Sequence, residues 1–90
     1  MYQVTFNITA DDGSVYDTTD AWIEAHGPCG TINEDFVSEG AMTLIEGGNG
    51  VTVVLKYEDE SKYQEHIANP ETGLASQAGI TLGDATTVTI

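Results

Sequence analysis

Fifteen aspartates and glutamates stand against two lysines, Lys56 and Lys62, and no arginine in this 90-residue chain, a formal net charge of −13 at pH 7. A carboxylate is costly to bury unless a cation or several donors meet it, and here few acids can find an internal cation. Every helix and strand must therefore keep one face in water. The chain can fold only from amphipathic elements. Its folded surface scales to roughly 5,000 Å², which leaves one uncompensated charge per about 400 Å². Self-repulsion at that density keeps a chain soluble and costs it stability.

The apolar fraction of 40% is enough for a globule, so the charge does not by itself dictate disorder. Ninety residues make one domain spanning 1–90, with a modest core. No run approaches a membrane span, and the N-terminus lacks a basic segment and an apolar signal region. With Cys29 as the single cysteine no intrachain disulfide is possible. A reducing compartment, the cytoplasm of a host cell, is the expected location.

Tyr2 to Ala10 alternate: Tyr2, Val4, Phe6, Ile8 and Ala10 share one face, and Gln3, Thr5, Asn7 and Thr9 the other. That is a strand with one wet face. Asp11-Asp12-Gly13-Ser14 then reads as a turn. Thr18 or Thr19 can cap a short helix with Asp20 in its first turn, Trp22, Ile23 and His26 or Ala25 inward, and Gly27-Pro28 as its stop. Phe36 and Val37 are candidates to open the next strand, and Thr31 to Asp35 reads as loop. Ala41 to Glu46 and Val51 to Glu58 form a hairpin across Gly47-Gly48-Asn49-Gly50. The second of these runs places Val51, Val53, Leu55 and Tyr57 on one face and leaves Val54 on the wet one. A second helix follows, capped by Asp59 or by Ser61, with Tyr63 and Ile67 one turn apart and Asn69-Pro70 as its end. Pro70 to Gly79 reads as loop. Ile80 to Leu82 and Ala85 to Ile90 close the chain, with Val88 and Ile90 inward.

The order strand, helix, strand, strand, helix, strand predicts an α+β fold of the ferredoxin-like β-α-β-β-α-β kind, an antiparallel sheet with two short helices on one face. The alternative is a mostly-β sandwich in which the first helix is a single turn.

Asp17, Asp20 and Glu24 lie at i, i+3 and i+7, one face of a helix, at axial spacings of about 4.5 and 6 Å. Such a stripe can engage Lys and Arg that otherwise hold phosphates, although a solvated helix face is its commoner meaning. Glu58-Asp59-Glu60, with Glu46 across the hairpin, would form a second negative patch, and Tyr16 beside the first stripe is a candidate exposed anchor. Acids at a helix start also simply offset its dipole. His26 and Cys29 are near in sequence, but with His66 as the one further nitrogen donor they make no zinc set, and no base or oxyanion hole accompanies the thiol. A structural Cys and a surface His are the simpler reading. Asp11 to Asp17 resembles a calcium loop superficially, without its alternating ligands and closing Glu. No catalytic residue, metal site or cofactor is expected, and the chain does not read as an enzyme.

In composition, and in the acids Asp17, Asp20, Glu24 and Glu58 to Glu60, the chain resembles the small acidic inhibitors encoded by phages and mobile elements, anti-CRISPR proteins and other DNA mimics among them. The resemblance carries no shared motif. It implies a stoichiometric inhibitor that turns a negative surface toward the basic nucleic-acid-binding site of a host defence complex. The partner is then a basic nucleic-acid-binding protein, and nucleic acid and anionic membranes are repelled. The chain itself is a monomer or a homodimer. Two rival readings are a phage virion or decoration module assembled through strand edges and a salt-adapted acidic domain.

Overall fold

The strand expected from the first alternating run forms as β1 (Tyr2–Ala10) in a computed structural model of the chain, which describes residues 1–26, 34–68 and 79–90. It is followed by α1 (Thr19–His26), β2 (Val37–Leu44), β3 (Gly50–Tyr57), α2 (Glu60–Ala68), β4 (Ile80–Leu82) and β5 (Thr86–Thr89). This is an α+β fold: among the described residues, five strands in one antiparallel sheet, and two helices. β1 and β3 lie at its centre, β2 flanks β3, and β4 and β5 pair with the two halves of β1. The eight residues of α1 set aside the sandwich in which it is a single turn.

Register explains the core. Val4, Phe6, Ile8 and Ala10 lie beside Leu55, Val53, Val51 and Ile80 on one face of the sheet, all buried. Trp22 of α1 and His66 of α2 are the buried side chains of the two helices, and both lie on this face. Tyr16, Ile23, Phe36, Met42, Leu44 and Tyr63 pack around the margin. The other face of the sheet carries no helix among the described residues.

Both helices begin at side-chain caps. The Thr18 hydroxyl accepts the Ala21 amide at 3.1 Å and the Asp59 carboxylate accepts the Lys62 amide at 3.0 Å, each the cap-to-third-residue bond that satisfies an orphan donor. Thr18→Ala and Asp59→Ala should each cost about 1 kcal/mol, and Asp59→Asn much less, measured by urea denaturation. Ser61 lies inside the helix rather than at its cap. Gly27-Pro28, Cys29, Asn69-Pro70 and most of the Pro70 to Gly79 loop fall outside the described residues.

Three placements differ from expectation. The second strand opens at Val37, one of the two residues expected to open it, and runs through Ser38, Glu39 and Gly40 across a bulge between Val37 and Glu39, but it ends at Leu44 and not at Glu46. The hairpin turn is closed by the Ile45 amide on the Gly50 carbonyl and the Gly48 amide on the Ile45 carbonyl, both 3.0 Å, so Gly50 belongs to β3. Val88 and Ile90 are 47% and 58% exposed rather than inward. Pairing sets Val88 opposite Gln3, on the helix-free face, and gives the inward positions to Thr87 and Thr89. One residue of register decides which face a strand's apolar set occupies.

Candidate functional site

Where the acids fall follows from the elements just described. Strands bury one face and crowd the other, so a chain with so little cation to spare keeps its carboxylates out of them. Among the described residues Glu39 is the one acid that lies in a strand, and it pairs with Lys56 at 3.6 Å. The other described acids occupy helices, turns and connections, and all of them are exposed. The second lysine, Lys62, pairs with Glu65 of the same helix at 3.7 Å. Pairs this exposed contribute less than about 1 kcal/mol. Both lysines of the chain are thus already engaged with carboxylates.

Most of the described acids gather at the two ends of the sheet; Glu24 and Glu65 lie along the helices and Asp84 in the β4–β5 connection, next to the Gly83 amide that donates to the Asn7 carbonyl at mid-β1. At one end β1 runs into Asp11 and Asp12 while the β2–β3 turn carries Glu46. The Tyr16 amide donates to the Gly48 carbonyl at 2.8 Å, which holds the segment with Asp17 against that same turn. The Leu44 amide donates to the Thr19 hydroxyl at 3.0 Å, which seats the start of α1 and Asp20 there too. At the other end Tyr57 lies opposite Val37, so Glu58, Asp59 and Glu60 emerge near Glu34 and Asp35. β3 separates the two groups by about 23 Å at its usual rise per residue.

This geometry regroups the residues singled out from sequence. Asp20 and Glu24 share a face of α1, but Asp17 precedes the Thr18 cap and is not part of a helical stripe. Glu46 joins Asp17 and Asp20 at the first end. It does not lie beside Glu58 to Glu60, because the length of β3 stands between them. Tyr16 is half-buried, with its ring edge-on to His26 at 5.5 Å, so it is part of the packing and not an exposed anchor; its neighbour Val15, 66% exposed, is the apolar side chain in solvent. Glu34 and Asp35 were missed by sequence reasoning, since only the β2–β3 register brings them to Glu58.

The histidines hold helices to the sheet. His26 packs on Trp22 at 4.8 Å and is not a surface residue. His66 is 1% exposed, stacks on Phe36 at 5.0 Å and 7°, and shares a 2.9 Å hydrogen bond between its Nδ1 and the Tyr57 hydroxyl. Ile67, one turn from Tyr63, is 46% exposed, and His66 is the buried residue of this turn. The carboxylate of Asp12 is bound by the Ser14 side chain and by its amide at 3.0 Å, and both hold its pKa below the usual range. Asp11 accepts a hydrogen bond from Thr81. These two acids serve the turn locally. No three His, Cys, Asp or Glu side chains converge as a metal site among the described residues.

Burial, and then the neighbouring Tyr63, push the Tyr57 phenol well above its ordinary value; burial and Tyr2 raise Tyr63 in the same direction. A raised folded pKa means stability is intact below the unfolded value of about 10 and falls as pH climbs beyond it. Thermal unfolding followed from pH 8 to 11 should therefore show a falling midpoint at the alkaline end. Tyr57→Phe should flatten that fall, leaving the smaller part due to Tyr63.

No helix among the described residues is long and apolar enough to cross a membrane. No family model, curated protein or solved structure matches the chain.

Proposed function

We propose that this chain is a stoichiometric inhibitor that presents carboxylates to the basic nucleic-acid-binding site of a host defence complex, in the manner of anti-CRISPR proteins and other DNA mimics. The observation that carries this reading is the segregation of charge. Most described acids stand exposed at the two ends, with Glu24 and Glu65 on the helices and Asp84 in the β4–β5 connection, while the strands hold Glu39 alone, compensated by Lys56. Keeping acids out of strands needs no partner; what supports one is that Asp17, Asp20 and Glu46 collect at one end and Glu34, Asp35, Glu58, Asp59 and Glu60 at the other.

Asp17, Asp20 and Glu46, with Glu24 further along α1, form one contact group. Glu34, Asp35, Glu58, Asp59 and Glu60 form the other. Their separation of about 23 Å matches about seven base pairs of duplex, so a channel that holds a short duplex is long enough to meet both. Carboxylates take the Arg and Lys that otherwise bind phosphate, association is fast, and salt weakens it. The reaction is occupancy, without turnover. We further assign the sheet to the ferredoxin-like order: with β4 and β5 counted as one interrupted strand, the sequence of strands across the sheet is 4-1-3-2, with a helix on each crossover.

The test is affinity capture from a host lysate at about 50 mM and about 500 mM salt, with identification of what is retained. A basic nucleic-acid-binding protein held at low salt and released at high salt, and displaced by its own DNA or RNA, is the expected result. Capture of acidic proteins alone, or of nothing, at low salt overturns the proposal.

A further inference from the structure

The two outer edges of the sheet are built differently. On β2 the Leu44 amide points outward and donates to the Thr19 hydroxyl at 3.0 Å, a bulge interrupts the strand between Val37 and Glu39, and Glu39 carries a charge. Cover, bulge and charge are three ways of keeping an edge from pairing with a further strand. β5 has none of them. Thr86, Thr87, Val88, Thr89 and Ile90 are all β-branched, uncharged and exposed, and Thr86 to Thr89 pair with β1 in unbroken register.

Hydrogen bonding fixes which groups β5 leaves open. The Ile90 amide donates to the Met1 carbonyl at 2.8 Å, and the Met1 amine donates to the Ile90 carbonyl at 2.6 Å. Bonded residues alternate along an antiparallel ladder, so Ile90, Val88 and Thr86 turn their amides and carbonyls toward β1. Those of Thr87 and Thr89 point away from the sheet. On the helix-free face the same edge carries Met1, Val88 and Ile90, three of the five large apolar side chains exposed among the described residues.

We infer that β5 pairs with β5 of a second copy of the chain, antiparallel, about a two-fold axis that passes through Val88 normal to the sheet. This register satisfies every open backbone group of the strand. Thr87 and Thr89 of each copy exchange both bonds with Thr89 and Thr87 of the other, four bonds in all. Val88 faces its own counterpart, and each Ile90 faces Thr86 across the axis. Every cross-strand pair then sets one β-branched side chain against another, a combination that favours a ladder.

The occupant follows from what the edge lacks and from its symmetry. A basic segment finds no carboxylate on β5 to meet. A second copy brings the same uncharged strand, and its two outward residues match the first copy's without any change of register. The acidic ends do not stack, because the axis stands near one end of the sheet and turns the copies head to tail. Glu58 of one copy lies about 24 Å from Glu58 of the other, across five strand spacings and well beyond a Debye length of about 8 Å. Asp84, the described acid nearest this edge, precedes β5 and stands past Ile90 of the other copy, outside the paired segment. A ladder of five residues buries less than about 1,000 Å², so the dimer is weak, with a dissociation constant on the order of 1 mM.

This pairing leaves both acidic groups of each copy open and does not depend on the inhibitor role. Diffusion and amide exchange followed by NMR from about 50 µM to about 2 mM chain test it. The 9.6 kDa monomer should shift toward twice that mass as concentration rises. The Thr87 and Thr89 amides should become protected in parallel. Those of Gly40 and Met42, which share the outward phase of Leu44 on β2, should not. Val88→Glu and Val88→Lys should each weaken the dimer at least about ten-fold with unchanged circular dichroism, since each sets like charges face to face. Mixed one to one, the two variants should pair with each other about as well as the wild type, because a two-fold at Val88 brings the new Glu and Lys together. A monomer at every concentration overturns the inference and leaves the edge to a foreign strand. So does a dimer protected at Gly40 and Met42 instead, one indifferent to either variant, or a mixture no better than its components.

Discussion

Replacing Trp22 by alanine should come close to unfolding the domain. Its side chain is fully buried, it is the buried residue of α1, and its indole Nε1 donates to the Asn49 carbonyl at 3.2 Å. One truncation therefore removes the main apolar tie between α1 and the sheet, opens a cavity beneath the helix and strips a hydrogen bond from the β2–β3 turn. Large aromatic truncations of this kind cost about 3–5 kcal/mol. A 90-residue domain has roughly 5–13 kcal/mol in total, and the self-repulsion of this one favours the lower part of that range. Urea denaturation followed by circular dichroism should show the midpoint falling by about 2–3 M. Added salt should recover part of the loss by screening the acids. Trp22→Phe should cost less, about 1–3 kcal/mol, because it keeps much of the apolar ring and the Asn49 carbonyl still accepts the Ala10 amide at 2.9 Å. A midpoint unchanged by Trp22→Ala would contradict the packing described for α1.

The second large effect is at Gly50, where β3 begins opposite Thr9. A methyl group there would lie 2.2 Å from the Ile8 carbonyl oxygen and 3.0 Å from Thr9 Cγ2. Neither the carbonyl nor the strand carrying it can yield without opening the central β1–β3 ladder, so Gly50→Ala should cost about 2–4 kcal/mol. Gly47 provides the contrast. Its φ of +93° strains any side chain, yet an added methyl meets no atom within 4 Å, so Gly47→Ala should cost about 1 kcal/mol. Denaturation of the two variants side by side separates close approach from backbone preference. Equal losses would mean that Gly50 is not pressed against β1.

What the sequence discloses, and what it hides, divides along a physical line. Local rules were sufficient where the determining neighbours are close in the chain. The period-two alternation of β1, the apolar face of β3, the caps at Thr18 and Asp59, and the inward Trp22, Tyr57 and Tyr63 all rest on residues within a few positions of one another. The α+β class follows from their order. Long-range pairing was not readable in the same way. Val88 and Ile90 look like core residues until the ladder with β1 sets their face. His66 looks like a polar helix residue until Tyr57 and Phe36 enclose it.

The acidic sites show the same division. Asp20 and Glu24 do share a helix face, since four residues settle that. Glu46 and Glu58 are joined by a hairpin strand whose full length keeps them apart, and Glu34 and Asp35 reach Glu58 only through the β2–β3 register. The strand runs read from the sequence end in Glu46 and Glu58, and the structure closes β2 and β3 before both. That this leaves the open face with Glu39 and Lys56 as its charged side chains required the sheet.

The most direct measurement of the central claim is competition. With the captured basic protein purified, its affinity for nucleic acid is titrated against the wild-type chain and two neutralised forms. One form carries Asp17→Asn, Asp20→Asn, Glu24→Gln and Glu46→Gln. The other carries Glu34→Gln, Asp35→Asn, Glu58→Gln, Asp59→Asn and Glu60→Gln, where the Asp59→Asn change preserves the cap of α2. The account predicts that the wild-type chain displaces nucleic acid, that at least one neutralised form loses at least about ten-fold in potency while remaining folded, and that its salt dependence is shallower. Neutralised forms that compete as well as the wild type, or a wild-type chain that binds alongside the nucleic acid, would contradict it.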